Sequence, residues 1–107
     1  MKKVKIAEID QANFPEGMGW GLVPTLGQQE EALVYHIGAE KHGADSWRKG
    51  MPWSVAITKI NRHLGKFLSG ESRCPKDGQH HLASVKFWCN ALMEWEQTHP
   101  KDDDVRG

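Results

Sequence analysis

The chain predicts an all-α fold: a small bundle of three to four helices with a long N-terminal arm, expected to work as an oligomer. Three observations carry this. Three segments, about 28–42, 54–68 and 80–97, place apolar residues at helical spacing. Glycine or proline punctuates each segment at an end. No two segments show the paired alternation that a sheet requires. At 107 residues a single domain is expected. Three helices enclose only a modest core, so pairing with a further copy is expected as well.

In chain order, residues 1–10 (MKKVKIAEID) alternate weakly and read as a short extended piece. Residues 11–27 contain Pro15, Pro24, Gly17, Gly19, Gly21 and Gly27 and read as an ordered loop, so the arm is 1–27. The first helix turns Leu33, Val34 and Ile37 inward and stops at Gly43. The second starts after Pro52, a residue suited to a helix start. Its stripe is Ile57, Ile60, Leu64 and Phe67 or Leu68, and Ser69-Gly70 ends it. The third carries His81, Val85, Trp88, Leu92 and Trp95, widened by Leu82, Cys89 and Met93. The helical domain therefore spans 28–97. The charged tail, 98–107, ends KDDDVRG and is expected to fray.

Bulk composition excludes several classes. Lysine plus arginine number 14 and aspartate plus glutamate 14. No sign dominates, which argues against a dedicated nucleic-acid coat while leaving a local basic patch open. The two cysteines, Cys74 and Cys89, make no disulfide framework, and no signal peptide or membrane-length apolar run is present. The cytoplasm is the expected compartment, with no membrane partner. No phosphate-binding P-loop, dinucleotide fingerprint or nucleophile elbow occurs. Cys74, His80, His81 and Cys89 lie close in sequence, but their spacing matches no zinc finger or ribbon.

Two dense polar segments stand out. One is GAEKHGADSWRKGMPW, from Gly38 to Trp53; the other is SGESRCPKDGQHHLA, from Ser69 to Ala83. Between them lies Arg62-His63-Leu64. Polar residues this concentrated where helices meet point to a site. His80 and His81 open the third helix, so they point in different directions. Either can serve as ligand, general base or phosphate donor, and the helix start itself favours a phosphate. The alternative is a half-buried His81 on the apolar stripe. His36 and Glu40 have ligand spacing on the first helix, as do Asn90 and Glu94 on the third. The alternative for each is a solvated hydrogen bond. If His36 and Glu40 faced His80 or His81, the mixed site would suit Mn²⁺, Fe²⁺ or Zn²⁺. Lys41, Arg48, Lys49 and Arg62 are the candidate phosphate cations, with Lys49 read as a solvated loop lysine and Lys41 and Arg62 favoured for the site, arginine through bidentate contact. For Arg62 the alternative is a salt bridge to Glu71 or Asp45. Trp47 and Trp53 either stack on a base or plug the loop into the core.

Taken together, Gly38-Ala39-x-Lys41-x-Gly43-x-x-x-Trp47, Arg62-His63-Leu64, Gly70-Glu71 and Asp77-Gly78-x-His80-His81-Leu82-Ala83 resemble a small, phage-rich family, dATP/dGTP diphosphohydrolase-like. It stands near the MazG-like all-helical nucleoside triphosphate pyrophosphohydrolases. The resemblance covers roughly residues 20–97. It implies cleavage of a deoxynucleoside triphosphate, a purine one in particular, to monophosphate and pyrophosphate with a divalent metal, Mg²⁺ or Mn²⁺. Three helices hardly enclose a nucleotide, so the active unit is expected to be a dimer or larger, in the host cytoplasm if phage-encoded.

In MazG-like relatives the metal sits on E-x-x-E of one helix and E-x-x-D of the next. Here Glu30-Glu31 is followed by Leu33, Val34 and Tyr35 at those offsets, and the third helix has no acid before Glu94 and Glu96. The implied assignments are His80 and His81 as catalytic groups and Glu30, Glu31, His36 and Glu40 as metal ligands. Lys41 and Arg62 would hold phosphates, with Trp47 and Trp53 beside the base. Three readings follow: the hydrolase, a non-catalytic nucleotide- or nucleic-acid-binding module of the same fold, and a structural accessory protein.

Overall fold

The computed structural model describes residue 14 and residues 17–107. The extended piece expected over 1–10 lies outside the described residues. The described chain is all-helical: α1 (Thr25–His42), α2 (Trp53–Leu68) and α3 (His81–Thr98), with single 3₁₀ turns at Trp20–Leu22, Ser46–Lys49 and Pro100–Asp102. Helix α3 packs on α2 and on α1, while α1 and α2 hardly touch.

Each helix end has a local cause. Pro24 precedes α1, so the helix starts earlier than the glycine-rich sequence suggests, and it stops at Gly43, where φ is 89°. Lys41 and His42 lie in its last turn, where positive charge suits the helix dipole. At the end of α2, Glu71 N–H donates to the Lys66 carbonyl and Gly70 N–H to that of Phe67, both at 3.0 Å. Gly70 has φ of 103°. This is a Schellman stop, and only glycine takes that turn without strain. The stop delivers Glu71 straight back toward the bundle. The 71–80 loop then pairs with itself: Arg73 bridges to His80, and His81 N–H donates to Ser72 O at 2.8 Å. His80 Nδ1 accepts from Leu82 N–H at 3.1 Å and so caps α3.

The α2/α3 core is compact. Trp53 and Ala56 meet Ala91 and Trp95, with Trp47, Met51, Trp88 and Leu92 packed around them. Small residues at 56 and 91 let the two backbones approach, and the indoles fill the remaining volume. Trp95 Nε1 donates to the Trp47 carbonyl at 3.0 Å, which fastens the 43–50 loop to the core. The inner face of α2 is rotated from the expected stripe. It comprises Trp53, Ala56, Ile60, His63 and Phe67, whereas Ile57, Leu64 and Leu68 are exposed. Two tryptophans need more room than the isoleucine–leucine stripe offered, and that sets the rotation. On the other side of α3, Val34 of α1 is buried and Tyr35 stacks against Phe87, centroids 4.7 Å apart.

The tail does not fray. The first turn of α2 has neither an acid nor a side-chain cap of its own. Asp104 supplies both, accepting from Ser54 N–H at 2.8 Å and from Ser54 Oγ at 2.6 Å. A carboxylate here satisfies an orphan donor and faces the positive end of the helix. Arg106 lies over the Trp53 ring at 4.9 Å. The charged tail, expected to fray, instead closes a helix start.

Gly50 is where tail and loop meet. Its backbone sits at φ 79°, ψ 169°, a region essentially reserved for glycine. A Cβ there would meet His99 Cδ2 at 2.6 Å and Asp102 Oδ2 at 2.9 Å. Gly50→Ala should therefore lower stability by about 1–3 kcal/mol from the backbone strain alone. Chemical denaturation checks this, and an unchanged midpoint would contradict the packing described.

Candidate functional site

Because α1 and α2 lean on different faces of α3, a cleft of about 740 Å³ opens between them. That is within the range of small-molecule sites. Phe87 and Trp88 of α3 form its floor; Tyr35, Gly38 and Lys41 line it from α1; Lys59, Arg62 and His63 line it from α2. The loops contribute Trp47 on one side and Asp77 and Gln79 on the other. Gly38 stands inside a helix, where glycine costs about 1 kcal/mol relative to alanine. A Cβ at this position would touch nothing within 4 Å. Packing does not require this glycine; it widens the cleft.

The cleft is electrostatically uneven. Lys41 Nζ donates to Asp77 Oδ2 at 2.6 Å. Partial burial pushes the Asp77 carboxyl up, but the Lys41 ammonium and the Gln79 backbone N–H outweigh it and hold the group below its ordinary value. Among the described residues Lys59 and Arg62 have no carboxylate partner: Glu71 is bound to His81 and Asp45 to Arg48. Lys59 lies 5.4 Å from the Trp88 ring centroid. One side of the cleft thus carries two cations, uncompensated among the described residues, above an aromatic floor.

Beside those cations runs a chain of three side chains. Glu71 Oε2 lies 2.7 Å from His81 Nε2. His81 is buried, and its Nδ1 lies 2.9 Å from Nδ1 of His63. His63 in turn lines the cleft. Burial, then the neighbouring His81, Arg62 and Lys59, hold His63 below its ordinary value of 6.5, with Asp77 opposing. His63 is therefore neutral at physiological pH.

The other residues expected at a site are placed as follows. Glu30 is ion-paired to Arg73, and Glu31 to Lys86 at 2.9 Å, with Asn90 also on Glu31. His36 and Glu40 pair with each other at 3.1 Å on an open surface. Trp53 is 5 % exposed in the core, away from the cleft, while Trp47 both packs on the core and lines the cleft. His80 Nδ1 accepts from Leu82 N–H as the cap of α3, and His81 N–H donates to Ser72 O, so the leading N–H groups of His81 and Leu82 are already taken. Of the residues singled out by sequence, Lys41, Trp47 and Arg62 share the cleft and His81 stands behind it. Lys59 lies outside the sequence motifs, and His63 and Glu71 fall within Arg62-His63-Leu64 and Gly70-Glu71, where neither is assigned a role at a site from sequence. For His63 a signal existed: it falls on the tryptophan-bearing face of α2, where a polar residue needs a partner.

A family model described as dATP/dGTP diphosphohydrolase, N-terminal, matches residues 13–105. The chain belongs to this family. No curated protein and no solved structure matches it. The family's name makes a nucleotide substrate plausible, and its span takes in all three helices and the whole cleft. Among the described residues no helix is long and apolar enough to cross a membrane. Nor do three metal-ligating side chains converge among the described residues.

The His63 environment sets a pH dependence. With a depressed native value, the unfolded chain binds the proton first as pH falls below about 6.5. Stability is therefore full above that pH and declines as pH drops toward the native value. The melting temperature should fall between pH 7.5 and 5, and the fall should be smaller in His63→Asn. An equal slope in both proteins would contradict the burial of a neutral His63.

Proposed function

We propose that the α1/α2 cleft binds a purine deoxynucleoside triphosphate and hydrolyses it to the monophosphate and pyrophosphate. The observation that carries this is the pairing of Lys59 and Arg62, neither with a carboxylate partner among the described residues, with an aromatic floor in one cleft of nucleotide size. Phosphates need cations in fixed positions, and arginine grips two oxygens at once. A base needs flat apolar surface, which Trp47, Trp88 and Tyr35 offer. The family description, dATP/dGTP diphosphohydrolase, supports the same substrate class.

The divalent metal of the proposal enters with the substrate, as the Mg²⁺ or Mn²⁺ complex of the triphosphate. Mg²⁺ commonly keeps its waters and binds chiefly through phosphates. Glu30 and Glu31 are engaged by Arg73 and Lys86, and His36–Glu40 is a solvent-facing pair. Among the described residues no set of three ligating side chains fits a resident metal centre.

Two measurements test the reading. The purified protein is incubated with each of the four deoxynucleoside triphosphates and Mg²⁺ or Mn²⁺, and products are separated by chromatography. Monophosphate and pyrophosphate from dATP and dGTP are expected. Arg62→Ala should raise KM at least about 10-fold, the loss of one charged contact. Binding without turnover would transfer the proposal to a nucleotide-binding module of the same fold. The proposal also includes a homo-oligomer, because Ile57, Leu64 and Leu68 form an exposed apolar stripe along α2, Leu68 being 76 % exposed; such stripes mark contact surfaces. Sedimentation should return a multiple of 12.1 kDa, and a monomer would remove that part.

A further inference from the structure

The hydrogen-bonded chain behind the cleft has a direction. An ionised Glu71 can only accept, so His81 Nε2 carries the hydrogen of their 2.7 Å contact. A neutral His81 then has a bare Nδ1, which must accept the 2.9 Å hydrogen bond from His63 Nδ1–H. That in turn leaves Nε2 of His63 without a hydrogen. Among the described residues it makes no hydrogen bond, and its ring borders the cleft.

His63 is a poor place to keep a positive charge. From its own helix Lys59 and Arg62 face it; from α3, His81; from the 71–80 loop, Asp77, itself bound to Lys41 of α1. His81 is buried with the Glu71 carboxylate 2.7 Å from its Nε2, so an opposite charge stands against that ring. A proton that arrives at His63 Nε2 can release the Nδ1 proton to His81 along the existing hydrogen bond. The charge then rests one ring deeper, against Glu71, and away from the cations that hold phosphate.

Resting on the hydrolase reading above, we infer that His63 is the proton acceptor of the cleft, and that His81 and Glu71 position it and store the proton. As the water oxygen bonds to phosphorus, its proton passes to His63 Nε2. The bridging P–O bond breaks, and its electron pair leaves with pyrophosphate. The proton returns to solvent after product release, which restores the starting tautomers. His63 is the catalytic residue of this scheme; His81 and Glu71 act through it. His80, the other member of the histidine pair, takes no part, since its ring is committed to capping α3.

The test uses the whole chain with Mg²⁺·dATP and Mg²⁺·dGTP across pH 5–9. His63→Asn should lower kcat by about 100-fold or more, the usual worth of a general base, with KM changed less than about 3-fold. Its rate should lack the acid-side fall expected of the wild type. Glu71→Gln should lower kcat by about 10-fold and move that fall to lower pH, because the stored charge has lost its carboxylate. A merely structural Glu71 would change the rate without moving the pH limb. Wild-type turnover with full activity in His63→Asn overturns the inference and leaves the hydrolase reading standing. Absence of wild-type turnover removes the hydrolase reading instead. Nitrogen-15 NMR of the histidine rings then decides the proton chain by itself. The Nδ1–H form of His63 at pH 7.5, with a titration shifted by Glu71→Gln, supports it. The Nε2–H form overturns it.

Discussion

Because α1 and α2 both rest on α3 and hardly touch each other, the space between them is left open among the described residues. Most features of the molecule follow from that arrangement. Helix α3 must present a packing surface on two sides. It does so with small residues where backbones approach, Ala83, Ser84 and Ala91, and with large rings between them. A bundle in which all helices met pairwise would have a better core and no cleft. Here the deeply buried set is short, six apolar residues among those described, with His81 and Ser84 the buried polar ones. The fold gives up burial to keep an opening.

That economy explains why so much polar chemistry is used structurally. Asp104 caps α2 from the far end of the chain, Arg106 covers Trp53, and ion pairs from Glu30 and Glu31 tie α1 to the 71–80 loop and to α3. Exposed pairs of this type contribute little individually. Their value is directional, since they hold α1 at a distance from α2 while α3 supplies the apolar support. Glu30 and Glu31, expected from the sequence as metal ligands, make these pairs.

The histidine chain shows how local backbone rules generate a site. Gly70 stops α2 in a left-handed turn, and the next residue is Glu71. The self-paired loop then brings the chain back so that His80 caps α3 and His81 faces inward. His63 meets His81 because both lie on the α2/α3 interface, His63 near the end of α2 and His81 at the start of α3. Helix termination, loop closure and capping, each a short-range event, thus assemble three titratable groups from three separate motifs. Buried polar groups in such an arrangement must satisfy one another, and that requirement orders their protons.

Much of this was legible in the sequence. Apolar spacing determined that there are three helices and very nearly where they end, because periodicity and glycine stops act within a few residues of the chain. Local polar density also marked the segments that border the cleft, and Lys41, Trp47 and Arg62 were found by type. What the sequence could not determine was rotation and pairing. The face of α2 turned by the bulk of Trp53 and Trp95, the neutralisation of Glu30 by Arg73, the cap supplied by Asp104 and the meeting of His63 with His81 all join residues far apart in the chain. Only tertiary packing decides them, because the free energy of a buried contact depends on what arrives at the other side.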